Sequence, residues 1–114
     1  MALEDMMDTV RYFNDRPVYL DRQGQPMTLR QWSEAFADGE GRTLAQTKVG
    51  RREVLTMWMG VDADPISNPV PLIFGTAVLG RRRRITHEIE TPTEEAALKA
   101  HYDMVAKLEA EDSA

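Results

Sequence analysis

The sequence predicts an α+β fold, with a three- to four-stranded, mainly antiparallel meander sheet packed by a C-terminal helix and by a short helix at about residues 28–37. Two observations predict this class. Four β-prone segments follow one another between residues 43 and 90, separated by glycine-, proline- or arginine-containing connections. Apolar residues at helical spacing lie on either side of that block. At 114 residues the chain is long enough for one ordinary core and too short for two comfortable domains.

Alternation along the predicted strands assigns their faces. In the second strand Leu55 and Met57 point to one face, whereas Val54 and Trp58 point to the other. A strand that is apolar on both faces is usually central and covered on both sides, so we expect both faces of the second and third strands to be buried. The four predicted strands cover residues 43–49, 53–61, 72–79 and 84–90.

The two main helices have sequence signals at their N-termini. Thr28 and Gln31 stand at the spacing of a capping box before the short helix. Thr91 is expected to cap the C-terminal helix, with Pro92 in the first helical position and Glu94 in the third. Residues 111–114 are expected to fray as a terminal tail, which leaves a single domain over residues 17–110.

The first sixteen residues predict a helical extension outside that domain. Their apolar side chains recur at helical spacing, at Leu3, Met6, Met7, Val10 and Phe13. Asn14 and Pro17 end the pattern, so we expect residues 1–16 to form a short helix that packs on the domain or on a neighbouring chain.

Large aromatic side chains are the expected anchors of the core, because each buries more apolar area than other residue types. Two of them lie one turn apart on the short helix, and one lies on the apolar stripe of the C-terminal helix. The predicted anchors are Trp32, Phe36, Trp58, Phe74 and Tyr102.

Composition narrows the class of function. The chain has no cysteine, which excludes disulfides, thiol catalysis and cysteine-based zinc binding. No apolar run approaches the roughly 20 residues that span a bilayer, and the N-terminus lacks the apolar region of a secretory signal. We therefore expect a cytoplasmic protein with no membrane partner. The net charge of -5 hides a basic middle, +5 over residues 42–84, between acidic ends.

Six arginines in two predicted strand connections are the most unusual local feature. The two connections are separated by two strands, so in an antiparallel meander they lie at the same end of the sheet. Guanidinium groups suit phosphate or carboxylate binding, although no aromatics are interleaved with them as in many nucleic-acid surfaces. Solvation, or pairing with acids at residues 109–112, is the alternative. The candidate anion- or partner-binding residues are Arg51, Arg52, Arg81, Arg82, Arg83 and Arg84.

The two histidines raise a separate hypothesis, a metal site or an acid–base pair. His87 is predicted to face inward from the fourth strand and His101 to lie on the helix stripe above the sheet, so the two rings could approach each other. With Asp62 or Glu88 they could hold a metal or act as acid and base. A histidine on an apolar face is more often a hydrogen-bonded core residue, and we assign no catalytic, cofactor-binding or metal-binding residues. Asp62 and Asp64 are expected to cap amides in their own proline-rich loop.

Two segments carry a resemblance to a known family: V-G-R-R-E-V-L-T-M-W-M-G-V-D at residues 49–62 and P-V-P-L-I-F-G-T-A-V-L-G at residues 69–80. Together with residues 19–36 and 91–105, they resemble small proteins of tailed phages, especially phages of actinobacteria, over about residues 18–108. The chain departs from that family in the four-arginine turn, and at residues 63–66, where relatives carry a histidine and glycines. The resemblance implies a phage or prophage protein inside a bacterial cell and transfers no site residues.

We therefore expect a non-enzymatic phage accessory protein that binds a host or phage protein, in host takeover or counter-defence. The alternative is a nucleic-acid or nucleotide binder that uses the arginines, and the third hypothesis is a metal-dependent hydrolase that uses the histidines. No cofactor is expected. Two short helices do not readily cover both faces of the sheet, so the sequence is also compatible with a homodimer.

Overall fold

A four-stranded antiparallel sheet is the centre of the fold in the computed structural model, which describes residues 6–113. One long helix crosses all four strands, and a two-stranded hairpin and two short helices precede the sheet. The predicted α+β class and antiparallel meander are confirmed. The elements are β1 (Tyr12–Phe13), β2 (Arg16–Pro17), α1 (Leu29–Ala37), α2 (Gly39–Arg42), β3 (Thr43–Val49), β4 (Arg52–Trp58), β5 (Phe74–Leu79), a 3-10 turn (Arg81–Arg83), β6 (Ile85–Thr91) and α3 (Glu94–Ser113).

The helix α3 buries one face of the sheet. Val54 of β4 lies opposite Val78 of β5, and both pack against Met104 and Leu108 of α3. The buried helix residues, which include Ala97, recur every three or four positions and so form one stripe.

The opposite face of β4 and β5 is not covered by any helix in the part of the chain described. There Leu55 lies opposite Ala77, and Met57 lies opposite Gly75. The expectation that both faces are buried is therefore wrong. Alternation along a strand determines which side chains share a face, and it does not supply the layer that covers them.

The helix α1 packs at one end of the sheet and does not cross it. Its Trp32 and Phe36 are half-buried against Trp58, together with Leu20. A helix of nine residues is only about 14 Å long, and the chain before it is tied to the end of β4, where the amide of Leu20 donates to the carbonyl of Gly60. The capping box of Thr28 and Gln31 is present in both directions.

Two of the five predicted anchors lie in the deepest part of the core. Trp58 and Phe74 are 3% and 1% exposed. Tyr102, by contrast, is 58% exposed, so its assignment to the core is wrong. The buried stripe of α3 contains His101, and the next residue is rotated about 100° away from it.

The N-terminal segment is mostly a hairpin and not a helix. Met6 and Met7 are helical, but β1 and β2 pair with each other around Asn14 and Asp15. Both turn residues have positive φ, 50° and 62°, as a two-residue turn of the I′ kind requires. This turn overrides the helical spacing predicted over residues 8–16, while Leu3 lies outside the described residues.

Both predicted ends of α3 also need correction. Thr93, and not Thr91, caps the helix, because its hydroxyl accepts from the amide of Ala96 at 3.1 Å. At the other end α3 continues through Ser113 instead of fraying at residue 111. Arg52 reaches across from β4 and binds two acids of this last turn, which ties the C-terminal end of α3 to the sheet.

Candidate binding surface

An apolar groove of about 700 Å³ runs along the uncovered face of the sheet. We call it the open groove and define it by Leu55 and Met57 of β4 and by Gly75, Ala77 and Leu79 of β5. Its shape follows from the strand register. The two smallest residues of β5 stand opposite two long side chains of β4, so β5 forms the floor and β4 a ridge.

Aromatic side chains close one end of the open groove. Trp32 stacks on Phe36 with ring centroids 4.9 Å apart, and Tyr19 packs on Trp32 at 5.1 Å. The indole Nε1 of Trp32 donates to the carbonyl of Met59 at 2.9 Å, which fixes the ring against the end of β4. Gly60 follows with φ +73°, and a Cβ there would lie only 2.7 Å from Trp32. The position of these aromatic side chains at the end of the groove therefore depends on a glycine at residue 60.

The edge strand β6 supplies the groove's outer rim. Ile85 is 53% exposed, and Glu88 and Glu90 are also exposed beside the groove. Within residues 6–113 no ion pair joins either glutamate, and we call these two residues the acidic rim. A register shift between Val78 and Leu79 alters the pairing where β6 begins.

The two arginine-rich turns lie at the same end of the sheet, as the topology predicts. Glu53 at the start of β4 pairs with Leu79, which pairs with Ile85. We call this end the arginine end and define it by its exposed members, Arg51, Arg81, Arg82, Arg83 and Arg84. Arg82 and Arg83 have φ values of 58° and 59°, which is uncommon for residues with a side chain.

Two of the six arginines have acidic partners in the fold. Arg52 donates to Glu111 at 2.9 Å and to Asp112 at 2.8 Å, and the hydrogen bond with Glu111 raises the pKa of Arg52. For Arg52 the structure therefore has the alternative that the sequence left open, pairing with acids at residues 109–112. Arg83 lies 3.7 Å from the buried carboxylate of Glu53.

The two histidines do not come together. His101 is fully buried, and its Nε2 and Nδ1 bond to the hydroxyls of Thr47 at 2.9 Å and Thr56 at 2.8 Å. Burial lowers the pKa of His101. His87 lies opposite Val78 and therefore on the face that α3 packs on, as predicted, but it is exposed on β6, two strands away from the Thr56 that binds His101. Among residues 6–113 no group of three or more histidine, aspartate or glutamate side chains is arranged to hold a metal ion.

Sequence reasoning missed two polar contacts that organise the core. Thr56 also bonds Thr76 at 2.7 Å, so hydroxyls from neighbouring strands form a network with His101 beneath α3. Arg16 of the hairpin bonds Asp62 at 2.5 Å. Asp62 also accepts from nearby amides, as expected, including that of Leu72 at 3.0 Å. The sequence feature that could have indicated this network is a threonine at an inward-facing position in each of two neighbouring strands.

No family model, curated protein or solved structure matches this chain. Within residues 6–113, no helix has the combination of length and apolar character needed to cross a membrane.

Proposed function

We propose that this protein acts by binding another protein, without catalysis, and that the open groove is the contact surface. The observation that supports this most is the groove itself, an apolar groove of about 700 Å³ on a sheet face that no helix covers in the described part of the chain. A contiguous exposed apolar patch rimmed by polar residues is a feature of protein interaction sites and ligand-binding grooves. The family resemblance would make the partner a host or phage protein inside a bacterial cell.

A further feature supports a protein partner. Met57 and Met59 border the groove, and flexible thioether side chains adapt to apolar partners.

Binding of nucleic acid or a nucleotide is the second candidate function. It is favoured by the five exposed arginines that share one end of the sheet. This function would depend on the arginine end and not on the groove. Phosphate binding would also weaken steeply between about 50 and 200 mM salt, whereas an apolar interface would not.

Affinity capture from host lysate distinguishes the two functions. Wild-type protein is compared with Ala77→Glu, which places a charge on the groove floor, and with a variant in which Arg81, Arg82, Arg83 and Arg84 are alanine. We expect wild type and the arginine variant to retain the same protein, with or without nuclease, and Ala77→Glu to lose it. Recovery that is sensitive to nuclease and lost only in the arginine variant would overturn the proposal in favour of nucleic acid.

A further inference from the structure

We infer that the partner segment is a basic amphipathic helix of another protein, bound along the open groove with its C-terminal end at the arginine end. This inference rests on the proposed function, because it names the chemistry of the partner for the same groove. It is carried by three observations: the dimensions of the groove, the charge of its rim and the charge at its end.

The groove has the dimensions of a short helix. The lining residues on β4 and the segment after it run from Leu55 to Val61, which is seven residues, or about 20 Å at 3.3 Å per residue. A helix of about 13 residues has the same length at 1.5 Å per residue. Gly75 and Ala77 leave a furrow that accepts a ridge of leucine-sized side chains. The helix α3 already covers the other face of the sheet, so a bound helix would complete a second layer.

The acidic rim favours basic residues along one flank of that helix. Glu88 and Glu90 are separated by about 6.6 Å along the strand, which is close to the spacing of side chains four residues apart on a helix. Neither glutamate has an ion-pair partner within residues 6–113, so both carboxylates are free to pair with an incoming lysine or arginine. The helix α3 of a second copy is a poorer match, because acids outnumber bases on its exposed surface: Glu95, Asp103, Glu109, Glu111 and Asp112 against Lys99 and Lys107.

The arginine end sets the direction of the bound helix. The C-terminal carbonyls of a helix carry a partial negative charge, which cations stabilise. Arg81, Arg82 and Arg84 are exposed at the turn where the groove ends, and none of them has an acidic partner in the described residues. The N-terminal half of the helix would then lie beside the acidic rim, where basic side chains are favoured.

Synthetic peptides test the inference without knowledge of the natural partner. Two helical 14-residue peptides share one leucine stripe at positions i, i+3, i+4 and i+7, and their flanks carry lysine in one and glutamate in the other. Fluorescence anisotropy measures their affinities for wild type, for Ala77→Glu and for the double variant Glu88→Lys, Glu90→Lys. We expect the lysine peptide to bind wild type at least tenfold more tightly than the glutamate peptide, the double variant to reverse that preference, and Ala77→Glu to bind neither. A nitroxide label at the C-terminus of the lysine peptide is expected to broaden the amide resonances of residues 81–84.

Several outcomes would overturn the helix inference. Equal affinities for the two peptides, no binding of either, an unchanged preference in the double variant, or broadening of residues 81–84 by an N-terminal label would each contradict it. So would light scattering that shows a wild-type dimer dissociated by Ala77→Glu, because a second copy would then occupy the groove. If Ala77→Glu loses lysate capture but neither peptide binds as expected, the proposed function stands and only the helix inference is contradicted. If Ala77→Glu also keeps lysate capture, both proposals are contradicted.

Discussion

Valine in place of Gly75 is expected to weaken partner binding by about fivefold to 100-fold while the protein keeps its fold, because overpacking a fitted surface costs about 1–3 kcal/mol and tenfold in affinity is about 1.4 kcal/mol. The added side chain would fill the floor of the groove, where the partner is proposed to insert. Gly75 has no positive φ, and a Cβ there meets nothing nearer than Met59 Cγ at 3.7 Å. The fold therefore has room for the change, and valine suits a strand better than glycine does.

Affinity for the captured protein, measured by calorimetry, and thermal unfolding of each variant check this result. The matched control is Tyr102→Ala, which removes a large exposed side chain from α3, outside the groove. We expect the control to bind like wild type, and Gly75→Val to unfold at or above the wild-type temperature. Undiminished binding by a folded Gly75→Val protein would show that the partner does not use the groove.

Alanine in place of His101 is expected to destabilise the fold by about 3 kcal/mol, since it creates a cavity and removes two hydrogen bonds to threonine hydroxyls. The imidazole is fully buried and bonds Thr47 and Thr56, and Thr56 in turn bonds Thr76. Urea unfolding with far-UV circular dichroism measures the loss. A loss below about 1 kcal/mol would contradict the role of this network in the core.

The same histidine is expected to make stability depend on pH. Burial holds the pKa of His101 below its ordinary value of about 6.5, so the unfolded chain binds this proton more readily than the folded chain does. Stability contributed by the neutral ring is present above about pH 6.5 and falls as the pH drops below it, by at most about 1.4 kcal/mol per unit. The hydrogen bonds of the ring within residues 6–113 go to threonine hydroxyls, and Tyr102 lies edge-on beside it, so none of these groups supplies a compensating negative charge.

The other histidine provides the control for this pH dependence. His87 is exposed on β6, so His87→Ala is expected to keep the fall in stability between pH 7 and pH 5, whereas His101→Ala loses the part that the buried ring contributes. Unfolding free energies at both pH values, for both variants, measure the difference. Equal pH dependence in wild type and His101→Ala would show that the buried ring does not titrate as expected.

Local patterns were sufficient to predict much of the fold. The capping box at Thr28 and Gln31 and the alternation in β4 each depend on a few neighbouring residues, and both appear in the structure. The position of the arginine end also followed from the sequence, because two turns separated by two antiparallel strands must share an end. Such features depend on chain geometry and little on distant contacts.

Other features depend on tertiary contacts that no local pattern contains. The helical spacing before Phe13 was overridden by the left-handed turn at Asn14 and Asp15. Tyr102 was assigned to the core together with its neighbour His101, although adjacent residues point about 100° apart on a helix and only His101 is buried. The sequence indicated that Leu55 and Met57 share a face, but whether a helix covers that face depends on where α1 packs.

The candidate surface was predicted only in part, for the same reason. Six arginines stood out in the sequence, and one of them, Arg52, is bound by acids 59 and 60 residues further along the chain. The groove itself was not predicted, because its floor consists of Gly75 and Ala77, residues with no distinctive chemistry. Their importance appears only when the register places them opposite Met57 and Leu55.

Methionine-methyl NMR tests the central claim most directly. The protein is labelled at its methionine methyl groups and titrated with the protein recovered by lysate capture. Met57 and Met59 border the open groove, whereas Met104 of α3 is buried against the other face of the sheet and serves as an internal control. We expect the resonances of Met57 and Met59 to shift or broaden at stoichiometric partner while that of Met104 stays in place. Binding that leaves Met57 and Met59 unperturbed would contradict the assignment of the open groove as the binding surface.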